Sequence, residues 1–423
     1  MTLVRHDWET IAFRGATAVA LLHAIDDAFI SRQQGVALGQ HALAAAISLA
    51  AGVAAIVAFP RLRAGFRAGI SLVFGVLAIV NGALHVAHIK VDAAAASDYT
   101  GVFALIAGCA LVVLGIVIPL RHRGEGAPTR LRRWEYRAVA VIAGVFVLYV
   151  LVGPVSVGIV TTHKHREPIP DTPNMTYEPV VFRASDGLSL SGWYVSSMNR
   201  AAVVVVHGGG GDRTGSLRHA ELLARHGYGV LAYDSRGRGD SEGSPNALGW
   251  DWDKDVAGAL TFLSQQPDVD SGRVGGLGLS TGADVLIEVA TTHRELKAVV
   301  SDGATARSFD DVRNLVRFDE TTPFFWTFTT AVRAFAGSAP GEPLEELAAR
   351  VTPTPLLLIA SGNAQREADY NMLYAEAARE PVELWAIPDG THTAAIRERP
   401  SEYERRVIGF FERTLLAQQS PTG

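Results

Sequence analysis

Long apolar stretches fill the first 160 residues of the chain, and shorter apolar runs separated by polar ones follow. A helix needs about 20 apolar residues to cross the hydrocarbon core of a bilayer. Five segments reach or approach that length: Ile11–Ile30, His41–Phe59, Ala68–Ile89, Gly101–Leu120 and Tyr136–Val160. The first is the weakest, because charged side chains interrupt it and each costs at least about 2.5 kcal/mol in a spanning helix. The pattern predicts an all-α transmembrane bundle of about five helices over residues 1–160.

Basic residues indicate the orientation of this bundle, because Lys and Arg accumulate in cytoplasmic loops. The loops after the first and third predicted spans carry only Arg32 and Lys90. We therefore expect an integral protein of the cell membrane, with a cytoplasmic N-terminus, no cleaved signal peptide and an extracytoplasmic C-terminal half. If the first span does not insert, only the N-terminus changes sides. The loops after the second and fourth spans carry the arginines: Arg61, Arg63, Arg67, Arg121, Arg123, Arg130, Arg132, Arg133 and Arg137.

Ionisable side chains gather near the expected outer ends of the first three spans. One interpretation is that they are solvated at helix ends or pair between spans. The other is a metal or proton site built from histidine and aspartate. Both remain open from the sequence. The group consists of His23, Asp26 and Asp27 in the first span, His41 at the start of the second, and His85 and His88 at the end of the third.

Residues 161–179 contain four prolines, which is typical of an extended linker. From residue 180 to about 418, apolar runs alternate with helical patterns, which predicts a mostly parallel sheet covered on both faces. Val180–Arg183 and Leu188–Val195 read as an antiparallel hairpin at its edge. The further predicted strands are Ala202–Val206, Gly229–Tyr233, Arg273–Leu279, Ala298–Val300, Leu356–Ala360 and Glu383–Ile387, and the predicted helices include Leu217–Arg225 and Asp255–Leu263.

Composition narrows the function classes. The formal net charge of −5 offers no basic field for nucleic acid. The single cysteine, Cys109, lies in an apolar stretch, so an intramolecular disulfide framework and a cysteine zinc site are excluded. No cofactor or metal is implied by the rest of the C-terminal half.

Ser280 is the candidate nucleophile. It lies in the sequence Gly278-Leu279-Ser280-Thr281-Gly282, directly after a predicted strand and before a predicted helix. A serine on such a sharp turn is exposed at the sheet edge, and the small residues two positions away let strand and helix approach closely. The helix N-terminus also favours negative charge. This motif predicts acyl transfer through serine.

Two further motifs supply groups that such a serine needs. The run His207-Gly208-Gly209-Gly210-Gly211 follows the strand Ala202–Val206. An oxyanion needs one amide from such a loop and one from the residue after the nucleophile. We expect Gly209 or Gly210, together with Thr281, to provide them. A phosphate-binding loop is the alternative, but its Gly-Lys-Ser/Thr ending is absent. His392, after the last predicted strand, is the candidate general base.

Residues from about 180 to 415 resemble the α/β-hydrolase fold family. The stretch from Tyr233 to Ser241 is similar to the Asp-x-Arg-Gly-x-Gly-x-Ser motif of many members, and Ser280 and His392 follow the family's chain order of serine, acid, histidine. The resemblance implies a carboxylate after the penultimate strand, where Gln365 takes the expected place. Glu367 is the favoured acid, and Asp369 and Asp302 are the other candidates.

The resemblance also implies a cap in the long insertion before residue 352, which is rich in aromatic residues. That run could equally pack against the core, or dip into the outer leaflet and collect lipid-like substrate. The leading hypothesis is a membrane-anchored serine hydrolase that cleaves esters of small molecules or lipids, or amides or peptides. A ligand-binding sensor that signals through the membrane helices is the alternative. The aromatic residues are Phe309, Phe318, Phe324, Phe325, Trp326, Phe328 and Phe335.

Overall fold

A computed structural model describes residues 7–30, 36, 39, 41–89, 96–122, 142, 144–164, 166, 169, 175–315, 321–364 and 366–417. The chain divides into two compact units. The first, which we call the helical unit, consists of Met1–His165 and Glu320–Ser338. The second, the sheet unit, consists of Arg166–Asp319 and Ala339–Gly423. The predicted linker and the domain boundaries in the sequence stay predictions, since much of residues 161–179 lies outside the described part.

Apolar helices build the N-terminal part of the helical unit. They are α1 (Asp7–Ile25) with a π-helical turn (Asp26–Ile30), α2 (Ala42–Ala58), α3 (Ala64–Ile89), α4 (Ala96–Arg121) and α5 (Gly153–His163) with a preceding π-helical turn (Leu148–Val152). Within the described residues, four stretches are long and apolar enough to cross a membrane: Ala42–Arg61, Ala64–Val86, Asp98–Arg121 and Gly144–His163.

These four stretches correspond to the last four predicted spans. The first predicted span is helical but is not among them, because charged side chains such as Asp26 and Asp27 lower its hydropathy. Its insertion therefore stays a prediction. The start of the last predicted span lies outside the described residues, as do the arginines from Arg123 to Arg137.

Glycines set the close packing of α3 against α4. A Cβ atom on Gly82 would lie 2.6 Å from the Gly101 carbonyl oxygen, and one on Gly108 would lie 2.8 Å from the Gly75 carbonyl oxygen. Any larger residue would push the two backbones apart. Small residues at such contacts are typical of helices that pair in membranes, where van der Waals contact replaces the hydrophobic effect.

The aromatic insertion contributes one helix to the helical unit, α10 (Thr322–Ala336), which lies in the chain between the predicted strands Ala298–Val300 and Leu356–Ala360. It packs along α5: Phe324 contacts Tyr149 with ring centroids 5.5 Å apart, and a Cβ on Gly158 would meet Ala331 at 3.0 Å. The aromatic helix thus belongs with the apolar helices. Phe318 lies outside the described residues, and Phe309 begins the short helix α9 (Phe309–Leu315).

An eight-stranded sheet forms the centre of the sheet unit, in the order β1-β2-β4-β3-β5-β6-β7-β8. β1 and β2 are antiparallel to their neighbours, and all pairs from β4–β3 to β7–β8 are parallel. This confirms the predicted edge hairpin and fold class. The strands are β1 (Glu178–Arg183), β2 (Ser189–Val195), β3 (Ala202–Val206), β4 (Gly229–Tyr233), β5 (Val274–Leu279), β6 (Leu296–Asp302), β7 (Leu356–Ser361) and β8 (Val382–Ile387).

Helices cover both faces of this sheet, as a run of fully buried strand residues requires. In β3, Val204 and Val206 pack into one core with Trp252, while Val203 and Val205 pack into the other. The helices are α6 (Leu217–Arg225), α7 (Trp252–Ser264), α8 (Thr281–Thr292), α9, α11 (Leu344–Ala348), α12 (Glu367–Ala377), α13 (Ala395–Glu398) and α14 (Pro400–Phe411).

Candidate active site

Ser280 lies on a strained turn between β5 and α8. Its backbone has φ 52° and ψ −122°, which a residue with a side chain rarely adopts. The neighbouring glycines permit the turn: a Cβ on Gly278 would lie 2.3 Å from the Gly282 carbonyl oxygen, and one on Gly282 would lie 2.3 Å from that of Val206. The tight contact projects the Ser280 hydroxyl from the carboxyl end of the sheet.

His392 follows β8 and meets this hydroxyl. Its Nε2 atom lies 2.9 Å from Ser280 Oγ, within hydrogen-bond distance. Gly303, after β6, makes room for the ring, because a Cβ there would lie 3.1 Å from His392 Cε1. The imidazole is half-buried, with 38% of its side chain exposed. The nucleophile candidate and the base candidate are therefore in contact, and the base remains accessible.

Glu367, the first residue of α12, holds the other side of the imidazole. Its Oε2 lies 2.5 Å from His392 Nδ1, and its Oε1 accepts a 2.7 Å hydrogen bond from the Ser361 amide at the end of β7. The carboxylate is fully buried. Asp369, two residues later on the same helix, is exposed. Of the three carboxylates left open by the sequence, the structure brings Glu367 to the histidine.

Asp302, the third candidate, ends β6 and is fully buried. Its backbone carbonyl accepts a 2.8 Å hydrogen bond from the Ser280 amide and so fixes the serine turn. Burial raises the pKa of its carboxyl group to about 7. Its nearest ion-pairing partner in the described part of the chain is His219, 4.0 Å away. Asp302 thus fixes the backbone of Ser280, and Glu367 is the carboxylate that contacts the His392 ring.

The electrostatics favour a protonated imidazole. The hydrogen bond to Glu367 raises the pKa of His392 above its ordinary value, partial burial opposes this, and the charges of Glu367 and Asp302 add to it. A histidine that accepts a proton more readily is a stronger base towards a serine hydroxyl, at the cost of needing a higher pH to be neutral. The arrangement suits transient storage of a proton during acyl transfer.

The glycine loop that carries two of the three predicted oxyanion amides adjoins the serine, since a Cβ on Gly208 would lie 3.4 Å from Ser280 Cβ. A Cβ on Gly209 would lie 2.6 Å from Thr281 Oγ1, so the glycine loop directly adjoins the residue after the serine. Arg238 donates a 2.7 Å hydrogen bond to the Gly209 carbonyl, which turns the amide of Gly210 in the same peptide the opposite way. Within the described residues, the amides of Gly209, Gly210 and Thr281 donate to no other group.

Arg238 is a residue whose role the sequence did not reveal. It belongs to the Tyr233–Ser241 stretch, whose side chains form ion pairs and hydrogen bonds with the surrounding loops. Asp234 accepts from the backbone amide of Arg213 at 2.8 Å and pairs with its guanidinium. Arg236 binds Asp255 at 2.7 Å. Two residues of this stretch reach the loop beside the serine: Arg238 at Gly209, and Ser235, whose amide donates a 3.0 Å hydrogen bond to His207 Nε2. Arg238 and Gly209 are 29 positions apart, and no sequence pattern predicts their contact.

A metal site is not supported by the described residues. They contain no group of three His, Cys, Asp or Glu side chains arranged to hold a metal ion. This includes the described members of the ionisable group near the ends of the apolar helices, whose His88 side chain lies outside the described part. The chemistry on offer at the carboxyl end of the sheet is a hydroxyl, an imidazole and a carboxylate in series, the arrangement used for nucleophilic catalysis.

One family model matches more than half of the chain. The model of the X-Pro dipeptidyl-peptidase family, S15, matches residues 163–401. The uncharacterized protein YfhR of Escherichia coli O157:H7 is 28% identical over 251 residues, which cover 55% of this chain and 80% of that protein. Thiohydrolase aneE of Aspergillus aculeatus is 34% identical over 136 residues, or 31% of this chain and 42% of aneE. The structure of Pyrococcus furiosus esterase Pf2001 covers 60% of this chain and 99% of its own, with 24% identity and a TM-score of 0.48.

Proposed function

Because the chain belongs to the X-Pro dipeptidyl-peptidase (S15) family, we propose that it is a membrane-anchored serine hydrolase that cleaves carboxylic esters through an acyl-serine intermediate. The observation that carries the proposal is the hydrogen-bonded series Ser280, His392 and Glu367, at 2.9 and 2.5 Å. An ester is the least demanding substrate for this machinery, since an alcohol leaves more readily than an amine. Amides and peptides, which the family name includes, are the competing substrate class.

In the proposed reaction, His392 Nε2 takes the proton from Ser280 Oγ as that oxygen attacks the substrate carbonyl carbon. The carbonyl oxygen becomes an oxyanion, and the amides of Thr281 and of Gly209 or Gly210 stabilise it. The tetrahedral intermediate collapses, the ester C–O bond breaks, and His392 gives its proton to the departing alcohol. Water then repeats the sequence on the acyl-serine. Glu367 holds the imidazole in the required tautomer throughout.

The test is a series of p-nitrophenyl esters of increasing chain length, beside Xaa-Pro p-nitroanilides, with the full-length protein in detergent or nanodiscs. We expect ester hydrolysis by the wild type and a loss of at least about 1,000-fold in Ser280→Ala, because the nucleophile is gone. Ser185→Ala, an exposed serine on the β1–β2 turn, is the matched control and keeps full activity. Faster turnover of the anilides would mean that peptides, and not esters, are the substrate class. Equal activity in Ser280→Ala and the wild type would refute the serine mechanism.

A ligand-binding sensor is the second candidate function, and one observation favours it. Helix α10 of the helical unit is continuous in the chain with β6 and β7, whose ends carry Asp302 and lead to Glu367. Labelling with a fluorophosphonate distinguishes the two functions: a Ser280 that reacts and turns over supports the hydrolase, and a protein that binds esters without labelling supports the sensor.

The proposed localisation is the cell membrane, with a cytoplasmic N-terminus and the sheet unit outside the cytoplasm. Arginines at one end of the described apolar helices support this orientation, namely Arg61, Arg63, Arg67 and Arg121. Protease added to sealed, right-side-out cells tests it. Cleavage within the sheet unit is expected, and cleavage only after the cells are opened would reverse the orientation.

A further inference from the structure

His207, the first residue of the glycine loop, is fully buried close to the serine turn. Its backbone packs against the start of α8, since a Cβ on Gly282 would lie 2.7 Å from the His207 carbonyl oxygen. The Trp252 ring meets the imidazole edge to face, with centroids 5.1 Å apart. Burying an imidazole in such a place is costly unless its polar atoms are hydrogen-bonded, so each ring nitrogen needs a partner.

Hydrogen bonds fix the tautomer of His207. The backbone amide of Ser235 donates a 3.0 Å hydrogen bond to Nε2. A backbone N–H can only donate, so Nε2 must hold a lone pair, and a hydrogen there would face the amide hydrogen. The hydrogen of the neutral ring is therefore on Nδ1, which lies 2.8 Å from the Gly208 carbonyl oxygen and donates to it. Burial lowers the pKa of His207 to about 4, which agrees with a neutral ring.

The hydrogen bond from Nδ1 orients the peptide that joins Gly208 to Gly209. In a planar trans peptide the C=O and the N–H point in opposite directions. The Gly208 carbonyl is held on the side of the imidazole, and it also accepts a 3.1 Å hydrogen bond from the Gly211 amide. The Gly209 amide must then point to the opposite side of the peptide. In the part of the chain that the structure describes, this amide donates to no protein group.

Packing distinguishes the Gly209 amide from that of Gly210, the other candidate from the glycine loop. The peptide between Gly208 and Gly209 lies against the nucleophile and the residue after it. A Cβ on Gly208 would lie 3.4 Å from Ser280 Cβ, and one on Gly209 would lie 2.6 Å from Thr281 Oγ1. A Cβ on Gly210 would have no described atom within 4 Å. The Gly209 amide is therefore the better placed to share one oxygen with the Thr281 amide.

We propose that His207 is a positioning residue of the oxyanion hole, whose neutral imidazole turns the Gly209 amide towards the negative oxygen that forms when Ser280 attacks the substrate. This role rests on the serine mechanism proposed above, and it selects Gly209 over Gly210 as the second donor. His207 acts through the peptide that follows it and takes no part in proton transfer. Loss of one oxyanion donor costs about 100- to 1,000-fold in kcat, and a misplaced Gly209 amide should approach that loss.

Two substitutions separate the two hydrogen bonds of His207. The amide of asparagine can take the place of Nδ1, whereas the amide of glutamine can take the place of Nε2. His207→Asn therefore keeps a donor to the Gly208 carbonyl, and His207→Gln keeps only a partner for the Ser235 amide. In esterase assays of the full-length protein in nanodiscs, we expect kcat to fall about 100-fold in His207→Gln with little change in KM, because only the transition state carries the oxyanion. His207→Asn should retain a kcat at least about tenfold above that of His207→Gln.

A thionoester distinguishes the loss of an oxyanion donor from a general loss of structure. Its sulfur accepts hydrogen bonds weakly, so its transition state gains less from the Gly209 amide. The ratio of kcat/KM for an ester to that for its thiono analogue should therefore be about tenfold lower in His207→Gln than in the wild type. Protein that has failed to fold lowers both rates equally and does not change the ratio. His226→Gln, at a partly exposed histidine paired with Glu404, is the matched control and keeps the wild-type ratio.

Nitrogen NMR of the full-length protein, labelled with 15N at the histidine rings, tests the tautomer without substrate. The signals that vanish in His207→Gln belong to His207, and we expect a neutral ring with hydrogen on Nδ1 between about pH 8 and 5, since burial disfavours the charged form. Hydrogen on Nε2 would overturn the proposal. Ester hydrolysis with an unchanged thiono ratio in His207→Gln would refute the role of His207 alone. A wild type that shows the expected tautomer and hydrolyses no ester would refute the proposed function and, with it, the oxyanion role.

Discussion

The two units bury charge in opposite ways. In the sheet unit, buried arginines bind carboxylates: Arg236 binds Asp255 and Asp186, and Arg213 binds Asp234 and Asp240. In the helical unit Arg67 pairs with Glu9 in the same way, but histidines are the more numerous buried basic side chains among the described residues, namely His23, His41 and His85. An arginine stays charged at every physiological pH, whereas a histidine changes charge within that range. The arginine pairs of the sheet unit therefore hold its loops at every physiological pH.

The sheet unit also contains a histidine whose charge changes, in the hydrogen-bonded series Ser280, His392 and Glu367. His392 is the histidine there that contacts the candidate nucleophile, and its charge is meant to change during each turnover. Everything around it is fixed: Glu367 by the Ser361 amide, and Ser280 by the Asp302 carbonyl. A reactive histidine is therefore held by rigid neighbours, while the histidines of the helical unit hold one another. Variants that remove one partner at a time test this difference.

The largest effect is expected from Glu367→Gln. It removes the carboxylate that orients His392, and the amide can favour the wrong tautomer, so kcat should fall by about 1,000- to 10,000-fold. Esterase assays of purified protein measure this. Asp369→Asn is the matched control, since Asp369 is exposed on the same helix. If the Asp369 variant loses activity and the Glu367 variant does not, the acid is misassigned.

The same variant has a signature in pH. The bond to Glu367 is the main cause of the raised His392 pKa, and the base acts only when neutral. In the wild type the rate should rise as pH increases through this raised pKa. In Glu367→Gln the residual rate should reach its plateau at a lower pH. A profile that does not move would mean that the carboxylate does not act on His392.

Much of the sheet unit could be predicted from the sequence. Short apolar runs such as Ala202–Val206 and Gly229–Tyr233 gave strands with the observed bounds, because fully buried parallel strands have no other composition. The spacing around Ser280 predicted a turn that only glycine neighbours permit. The acid was harder, since the choice between Glu367 and Asp369 depends on where α12 begins and which side chain of its first turn faces His392.

The sequence did not determine where the aromatic insertion packs. An aromatic helix has the same pattern whether it caps an active site, fills a core or packs on membrane helices, so the location of α10 depends on its partners. Ala331 packs against Gly158 on α5, and no pattern in either segment predicts this contact. Similarly, Arg238 and Gly209 are joined by a single hydrogen bond across 29 positions.

Next in size is the effect of Arg236→Met. It leaves Asp255 buried without its cation, which should lower the free energy of unfolding by about 3–5 kcal/mol. Burial already raises the Asp255 pKa to about 6. A carboxyl whose folded pKa lies above its unfolded value favours folding most at low pH, and this is lost as pH rises through the folded pKa. Without Arg236 the folded pKa of Asp255 rises further, so the penalty of the variant should grow as pH rises above about 6, where the wild-type carboxylate is ionised and paired.

Denaturant unfolding of the full chain in detergent measures this penalty. Arg413→Met is the control, because its pair with Glu383 is exposed and such pairs contribute at most about 1 kcal/mol. If Arg236→Met loses no more free energy of unfolding than the control, the ion pairs of Arg236 do not hold the sheet unit together.

A smaller effect is expected at the α5–α10 contact. Leucine at Gly158 would enter the space of Ala331, whose Cβ lies 3.0 Å from the added Cβ, at a cost of about 1–3 kcal/mol. Faster amide hydrogen exchange in residues 322–336 reports the loss. Gly144→Leu, in the same apolar stretch, is the matched control, since nothing lies within 4 Å of a Cβ there. Equal exchange in both variants would place α10 elsewhere.

The smallest effect is expected from His41→Phe, and it bears most directly on the contrast between arginine and histidine. The variant keeps an aromatic ring beside His163 and loses the hydrogen bond to the Phe335 carbonyl, which contributes about 0.5–1.5 kcal/mol. Exchange in the last turn of α10 should then be about 2- to 10-fold faster, since each 1.4 kcal/mol is tenfold.

The control is His226→Phe, a partly exposed histidine paired with Glu404 in the sheet unit, which should leave exchange in residues 322–336 unchanged. An exchange rate in the last turn of α10 that is the same in His41→Phe and in the wild type would mean that the hydrogen bond to Phe335 does not hold the end of that helix.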